Sequence, residues 1–415
     1  MEELEIKRAI LVAALKSTSE IKESERSLDE LERLLNTAGG ESIARVVQIK
    51  PTFDPRTVIG SGKVLEIKEL AEAEKADLVV FDFELSPMQI RNLEDDIGID
   101  VIDRSMLILD IFALHATSGE GKLQVELAQL KYTAPRLIGK GAALSRQGGG
   151  IGTRGPGETQ LEIDRRHLHT KISSLESKLR ELEHNRSVMR AQRDRSGLTK
   201  IAVVGYTNAG KSTLLNKLTG AGVLDEDKLF ATLDPTTRKL VLPSGETVLI
   251  TDTVGFIRKL PHHLVEAFKS TLDEVTYADI LLIVSDITDS EVAEHLDVTE
   301  SIISELSADD KPRIYVYNKC DKADVCSYAV PRERTVTISA KENKGIDNLL
   351  SVITEVIHEG KKVCTLLIPY SDQAVLSKLY DTCTLNNVDY LDTGIQVEVI
   401  LGKEEQGALA AYMIN

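Results

Sequence analysis

The sequence predicts an α/β protein in four parts. A small parallel α/β subdomain occupies 1–104, an antiparallel helical hairpin 105–196, a central module 197–358 and a small α/β appendage 361–415. The central module is expected to be a mixed, mostly parallel sheet with helices on both faces. Three observations carry this reading. Strand-length apolar runs alternate with helical stretches through the first hundred or so residues. Leu168, Ile172, Leu175, Leu179 and Leu182 recur at spacings of 4, 3, 4 and 3, the period of a helix–helix seam. A glycine-rich loop also stands between a buried strand and a helix start at 200–218.

In the first part, residues 8–15 and 43–49 read as strands. Between them a helix is expected from Ser27, where Ser27-Leu-Asp-Glu30 makes a capping box, to the Gly39-Gly40 pair. Residues 63–74 read as helix and 77–83 as strand; Ser86-Pro87 opens another helix, and 99–102 closes the set. Gly60-Ser-Gly-Lys63 imitates a phosphate loop but has Thr57 where its first glycine belongs and Val64 after the lysine. It reads as a helix start, with a phosphate contact as the alternative.

In the second part, Leu123, Leu127 and Leu130 mark one helix and the 168–182 seam marks another. The seam is under three heptads long, which suits an intramolecular helix pair better than a dimeric coiled coil. Between them, residues 145–158 hold six glycines and a proline, which exclude regular structure. Arg146, Gln147 and Arg154 in this loop suit contact with structured RNA, where phosphate and shape dominate; a flexible linker is the alternative. Residues 131–200 carry a net charge of +8 in a chain of −16. That asymmetry points to a polyanionic partner for this segment and away from nonspecific nucleic-acid binding by the whole surface.

The central module carries the chemistry. Gly205, Tyr206, Thr207, Asn208, Ala209, Gly210, Lys211 and Ser212, with Thr213 following, fit G-x-x-x-x-G-K-[ST]. Main-chain N–H groups and the helix N-terminus can cradle phosphates there, Lys211 can reach the β/γ-phosphates, and the Ser212 hydroxyl can ligate Mg²⁺. Asp252, Thr253, Val254 and Gly255 end the apolar run 247–251. Asp252 can hold Mg²⁺ through water, and the Gly255 N–H can meet the γ-phosphate. Asn318, Lys319, Cys320 and Asp321 follow the strand 313–317. A carboxylate at 321 can accept from guanine N1–H and the exocyclic amine, whereas adenine would leave it facing a lone pair. Ser339, Ala340 and Lys341 follow the strand 335–338 and can donate to guanine O6. In this order the four motifs resemble the translation-factor-like GTPases.

Between the first two motifs lies the expected switch, Phe230, Ala231, Thr232, Leu233 and Asp234. Thr232, Thr236 and Thr237 are all candidates to close on Mg²⁺ and γ-phosphate, and spacing does not choose among them. Phe256 stands where many small GTPases carry a water-orienting glutamine, so hydrolysis needs another group, an ion or a partner to place the water. Asn208 suggests K⁺ beside the phosphates, by analogy with GTPases carrying a similar asparagine.

The tail reads as strands at 363–368 and 395–400 with helices near 372–380 and 404–412. Four cysteines without C-x-x-C spacing suggest a reducing compartment and no zinc site. The apolar run 9–15 is too short for a signal peptide or a membrane span. The expectation is a cytoplasmic monomer with no membrane partner.

Residues 146–162 together with Asp164-Arg-Arg166 resemble the signature of the HflX family of GTPases. So do Val101-Ile-Asp-Arg104, residues 121–132, Phe230-Ala-Thr-Leu-Asp234 and Asp252-Thr-Val-Gly-Phe256; the likeness spans 7–358. It implies a GTPase that binds the large ribosomal subunit and its rRNA in the GTP state, its N-terminal part reaching toward the peptidyl transferase region, and that splits or rescues stalled ribosomes. It also implies Thr232 as the Mg²⁺-binding threonine beside Ser212, with Lys211, Thr232 and Gly255 acting around the γ-phosphate. ATP use by the N-terminal region is claimed within the family, and residues 1–104 show no good nucleotide motif for it. Two other functions remain open: a GTP-dependent regulatory switch for a protein complex, and an RNA-remodelling NTPase.

Overall fold

Strand β1 (Lys7–Leu15) is an apolar run buried on both faces, which requires neighbours on each edge and helices above and below. It lies inside a four-stranded parallel sheet ordered β2 (Gly40–Ile49), β1, β3 (Leu78–Phe81), β4 (Asp100–Asp103). The computed structural model describes residues 6–144, 160–195, 197–220, 229–230, 233–259, 269–322, 329–359, 361–383 and 385–414. The connecting helices are α1 (Ile21–Thr37), α2 (Ser61–Glu74) and α3 (Pro87–Ile97). Gly60 is the N-cap of α2, as a helix start demands. Ser86 and Gln89 form a reciprocal capping box on α3.

The helix expected from Ser27 begins earlier, at Ile21, after a short 3₁₀ turn. Ser27 and Glu30 are buried within it. Their capping-box spacing is a coincidence of sequence, because their partners come from far along the chain: Lys259 donates to Ser27 and Arg104 pairs with Glu30.

Asp103 caps α4 (Arg104–His115), whose Leu107, Ile108, Leu109, Ile111 and Phe112 are buried. Helices α5 (Gly119–Leu144) and α6 (Gln160–Arg195) are linked by the ion pairs Lys131–Glu176 at 2.8 Å and Lys171–Glu126 at 2.7 Å. Leu175 is buried, and the rest of its seam is half-buried among mostly exposed neighbours. On α5 the buried face is Gly121, Gln124, Val125 and Ala128; Leu123, Leu127 and Leu130 are half-buried. The leucines that mark this helix are thus not its most buried positions. The loop with Arg146, Gln147 and Arg154 lies outside the described residues.

The central sheet runs β10 (Thr335–Thr337), β9 (Arg313–Asn318), β8 (Ile280–Asp286), β5 (Lys200–Gly205), β7 (Thr247–Asp252), β6 (Thr236–Val241). All pairs are parallel except β6–β7. Helix α7 (Lys211–Thr219) follows the loop after β5. The tail builds an antiparallel sheet of its own, β12 (Leu385–Leu391), β13 (Gly394–Leu401), β11 (Lys362–Ile368), β14 (Met413–Ile414). Leu366, Ile368, Val397 and Val399 form its core. No helix among the described residues is long and apolar enough to cross a membrane.

The chain forms two units. The first takes 1–183 with 227–234 and 257–270; the second takes 184–226, 235–256 and 271–415. Among the described residues, 229–230, 233–234 and 257–259 thus belong to the N-terminal unit, although their place in the sequence lies within the central module.

Candidate nucleotide site

The second unit brings the four motifs to the carboxyl ends of β5, β7, β9 and β10, where open α/β sheets bind ligands. Lys211 Nζ is buried and donates to the carbonyls of Gly205 at 3.1 Å and Tyr206 at 2.8 Å. Burial pushes its ammonium down to about 8; Asp252 opposes that fall and Lys319 adds to it. Anionic phosphate oxygens are the natural complement of such a cation. Gly255 must be glycine, because a Cβ there would sit 2.9 Å from Lys211 Nζ and 2.8 Å from Thr207 Cα.

Ser212 Oγ donates to Asp252 Oδ2 at 2.7 Å. A hydroxyl and a carboxylate meeting beside a helix N-terminus are hard oxygen donors of the kind Mg²⁺ takes alongside phosphates and water, so these residues fit that ion. Thr253 fixes the same strand end by donating to Val203 O at 2.8 Å. Phe256 is buried and bridges the loop through its main chain, Phe256 N to Gly205 O at 3.0 Å and Thr207 N to Phe256 O at 2.8 Å. It is a core aromatic. Tyr206 stacks on His295, with ring centroids 3.7 Å apart.

Asn318 ties the other motifs together. Its Nδ2 donates to Ala209 O at 3.0 Å, and its Oδ1 accepts from Ala340 N at 3.0 Å. Lys319 pairs with Asp286 at 2.8 Å. Asp286 was not singled out from sequence, although an acid at the tip of the apolar run 280–285 was a legible signal. Ser339 donates to Asp321 Oδ1 at 2.6 Å and holds that carboxyl below its usual range. One oxygen is thereby fixed, and the carboxylate stays ionised to accept from a base edge. Cys320 is half-buried, whereas Lys341 is exposed.

The expected switch divides. Ala231 and Thr232 lie outside the described residues. Thr237 Oγ1 is 2.9 Å from Thr251 Oγ1 across β6–β7, and Thr236 begins β6. Phe230 and Leu233 are buried within the first unit. Asp234, expected at the nucleotide, has its carboxylate bonded within that unit to Thr117 and Ser118.

Residues 200–319 match a family described as "50S ribosome-binding GTPase". Residues 25–113 match "GTP-binding GTPase N-terminal" and residues 115–193 match "GTP-binding GTPase Middle Region". A protein named GTPase HflX from Caldanaerobacter subterraneus subsp. tengcongensis is 50% identical over 417 residues, covering 100% of this chain and 96% of its own length. Another of that name, from Lacrimispora saccharolytica, is 47% identical over 412 residues, covering 99% and 97%. A GTP-binding protein from Sulfolobus solfataricus, solved in complex with GDP, is 25% identical with a TM-score of 0.44, covering 85% of this chain and 99% of that one.

Proposed function

This chain belongs to the HflX family of GTPases, and on that premise we propose that it is a ribosomal factor. It binds the large subunit while GTP is bound, acts on stalled ribosomes by splitting or rescuing them, and lets go once GTP is hydrolysed. What carries the reading is the joint placement of Lys211, Ser212, Asp252, Asn318 and Asp321 at the carboxyl ends of the strands of one sheet, the first four within a segment that matches a ribosome-binding GTPase family.

The residues divide the work. Main-chain N–H groups of 205–213 and Lys211 bind the phosphates and oppose charge developing on them. Ser212 and Thr232 would hold Mg²⁺, with Asp252 behind a water, and the bound ion would supply positive charge against the phosphates. Thr232 and the Gly255 N–H close on the terminal phosphate, so its loss frees both segments. Asp321 reads guanine. Arg146, Gln147 and Arg154 in the tip loop contact rRNA, favoured by the net +8 of 131–200. Asn208, exposed in the phosphate loop, sits with K⁺ in this reading by analogy with GTPases that carry a similar asparagine there. A ribosomal partner places the protein in the cytoplasm.

The test is GTP turnover by the full chain with and without purified large subunits, in K⁺ and in Na⁺. Stimulation by the subunits is expected, and a further gain in K⁺. Turnover indifferent to the subunits would favour a regulatory switch for another complex, and equal rates in the two salts would remove K⁺.

A further inference from the structure

Tyr206 is the second residue of the phosphate loop, at a position where the motif accepts any side chain. Its main chain is fully engaged. The Tyr206 carbonyl accepts from Lys211 Nζ at 2.8 Å and from Ala209 N at 3.4 Å. The peptides on either side are tied to Phe256, which donates from its N–H to Gly205 O at 3.0 Å and accepts from Thr207 N at 2.8 Å. The direction of the Tyr206 carbonyl therefore decides where Lys211 rests.

The Tyr206 side chain is buried as well, against a residue 89 positions along the chain in the same unit. Its ring lies flat on the imidazole of His295, with centroids 3.7 Å and planes 12° apart. His295 stands in the first turn of the helix Val292–Glu305, with its side chain 12% exposed. The imidazole presents its edge to two acids, Nδ1 lying 3.5 Å from Asp289 Oδ2 and Nε2 lying 3.8 Å from Glu291 Oε2. These acids are fixed in turn. Asp289 N donates to Asp286 O at 3.3 Å, Glu291 N to Asp289 Oδ1 at 2.9 Å and His295 N to Glu291 O at 2.9 Å. Asp286 pairs with Lys319. The stretch 286–295 thus grips the Asn318–Asp321 motif at one end and lies on the phosphate loop at the other.

We propose that His295 is a positioning residue of the nucleotide site, whose flat contact with Tyr206 fixes the carbonyl that holds Lys211 and so sets phosphate affinity without touching the base. The inference rests on the nucleotide reading above. A loop already held in its binding geometry takes up phosphate without a further cost of ordering. The imidazole supplies that hold through its face, because Tyr206 meets the ring and not its nitrogens. A phenyl ring can take its place, since an aromatic edge carries partial positive charge and tolerates the two carboxylates.

Titration of the full chain and its variants with a fluorescent GDP analogue tests this. His295→Ala is expected to weaken binding about fivefold, the scale of one aromatic pair, and His295→Phe to restore it to within about twofold. In a Tyr206→Ala background, His295→Ala should cost nothing more. If His295→Ala does not fold, His295→Gln, which lacks the ring, is read in its place. A merely structural pair would lower the unfolding midpoint and leave the affinity of the folded chain unaltered. Unchanged affinity on loss of the ring overturns the proposal, as does a loss that His295→Phe fails to restore or one that persists in the Tyr206→Ala background. Failure of the unaltered chain to saturate overturns the nucleotide reading and this inference with it, so the two failures are told apart.

Discussion

Lys211 is a cation buried among main-chain carbonyls, and its lowered pKa of about 8 has a definite sign. An unfolded lysine keeps its proton to about 10.5. Between these values the unfolded chain binds more protons, so this group's contribution to stability rises with pH across that window. Bound phosphates favour the charged form, so nucleotide binding should take up protons there. Calorimetry at pH 8.5 in buffers of different ionisation enthalpy should show roughly half a proton or more taken up per site; heats independent of buffer would contradict this. Asp321 allows a second test. Asp321→Asn replaces an acceptor with a mixed donor–acceptor, which should weaken GTP about 10²-fold and admit xanthosine triphosphate; unchanged GTP affinity would remove the base-recognition argument. These residues were legible because each motif is local, a fixed spacing behind a strand. Asp234 was assigned to the nucleotide for the same reason, and local spacing could not reveal Thr117 and Ser118.

At the scale of elements, the strands and helices that carry their own signals were read well. Pro87 after Ser86 opens α3, and the 168–182 stripe is the protected face of α6. Helix α1 shows what was hidden. Ser27 and Glu30 looked like a cap, but they serve a buried charge cluster in which Arg104 pairs with Asp82 at 2.8 Å and with Glu30. Arg104 is 2% exposed. Removing one cation from such a cluster leaves buried carboxylates short of charge, so Arg104→Leu should cost about 3–5 kcal/mol. Denaturant unfolding of the variant measures this, and a loss under about 1 kcal/mol would mean the cluster is solvated.

At the scale of the whole molecule, the chain is not a row of beads. Phe230, Leu233, Asp234, Arg258 and Lys259 pack in the N-terminal unit, although both segments interrupt the sequence of the central one. Nothing in linear patterning marks a tertiary allegiance of that kind. Local patterning marks the nucleotide motifs and a basic segment suited to a polyanion, whereas the ribosome enters only through the likeness to a known family. In the proposed function, a terminal phosphate in the second unit governs engagement of the basic arm with the ribosome. Sedimentation of the full chain with purified large ribosomal subunits, in GDP and in a non-hydrolysable GTP analogue, addresses it most directly. Co-migration with the analogue alone, reduced by Arg146→Ala with Arg154→Ala, is expected; equal co-migration in both nucleotides, or none in either, would contradict this function.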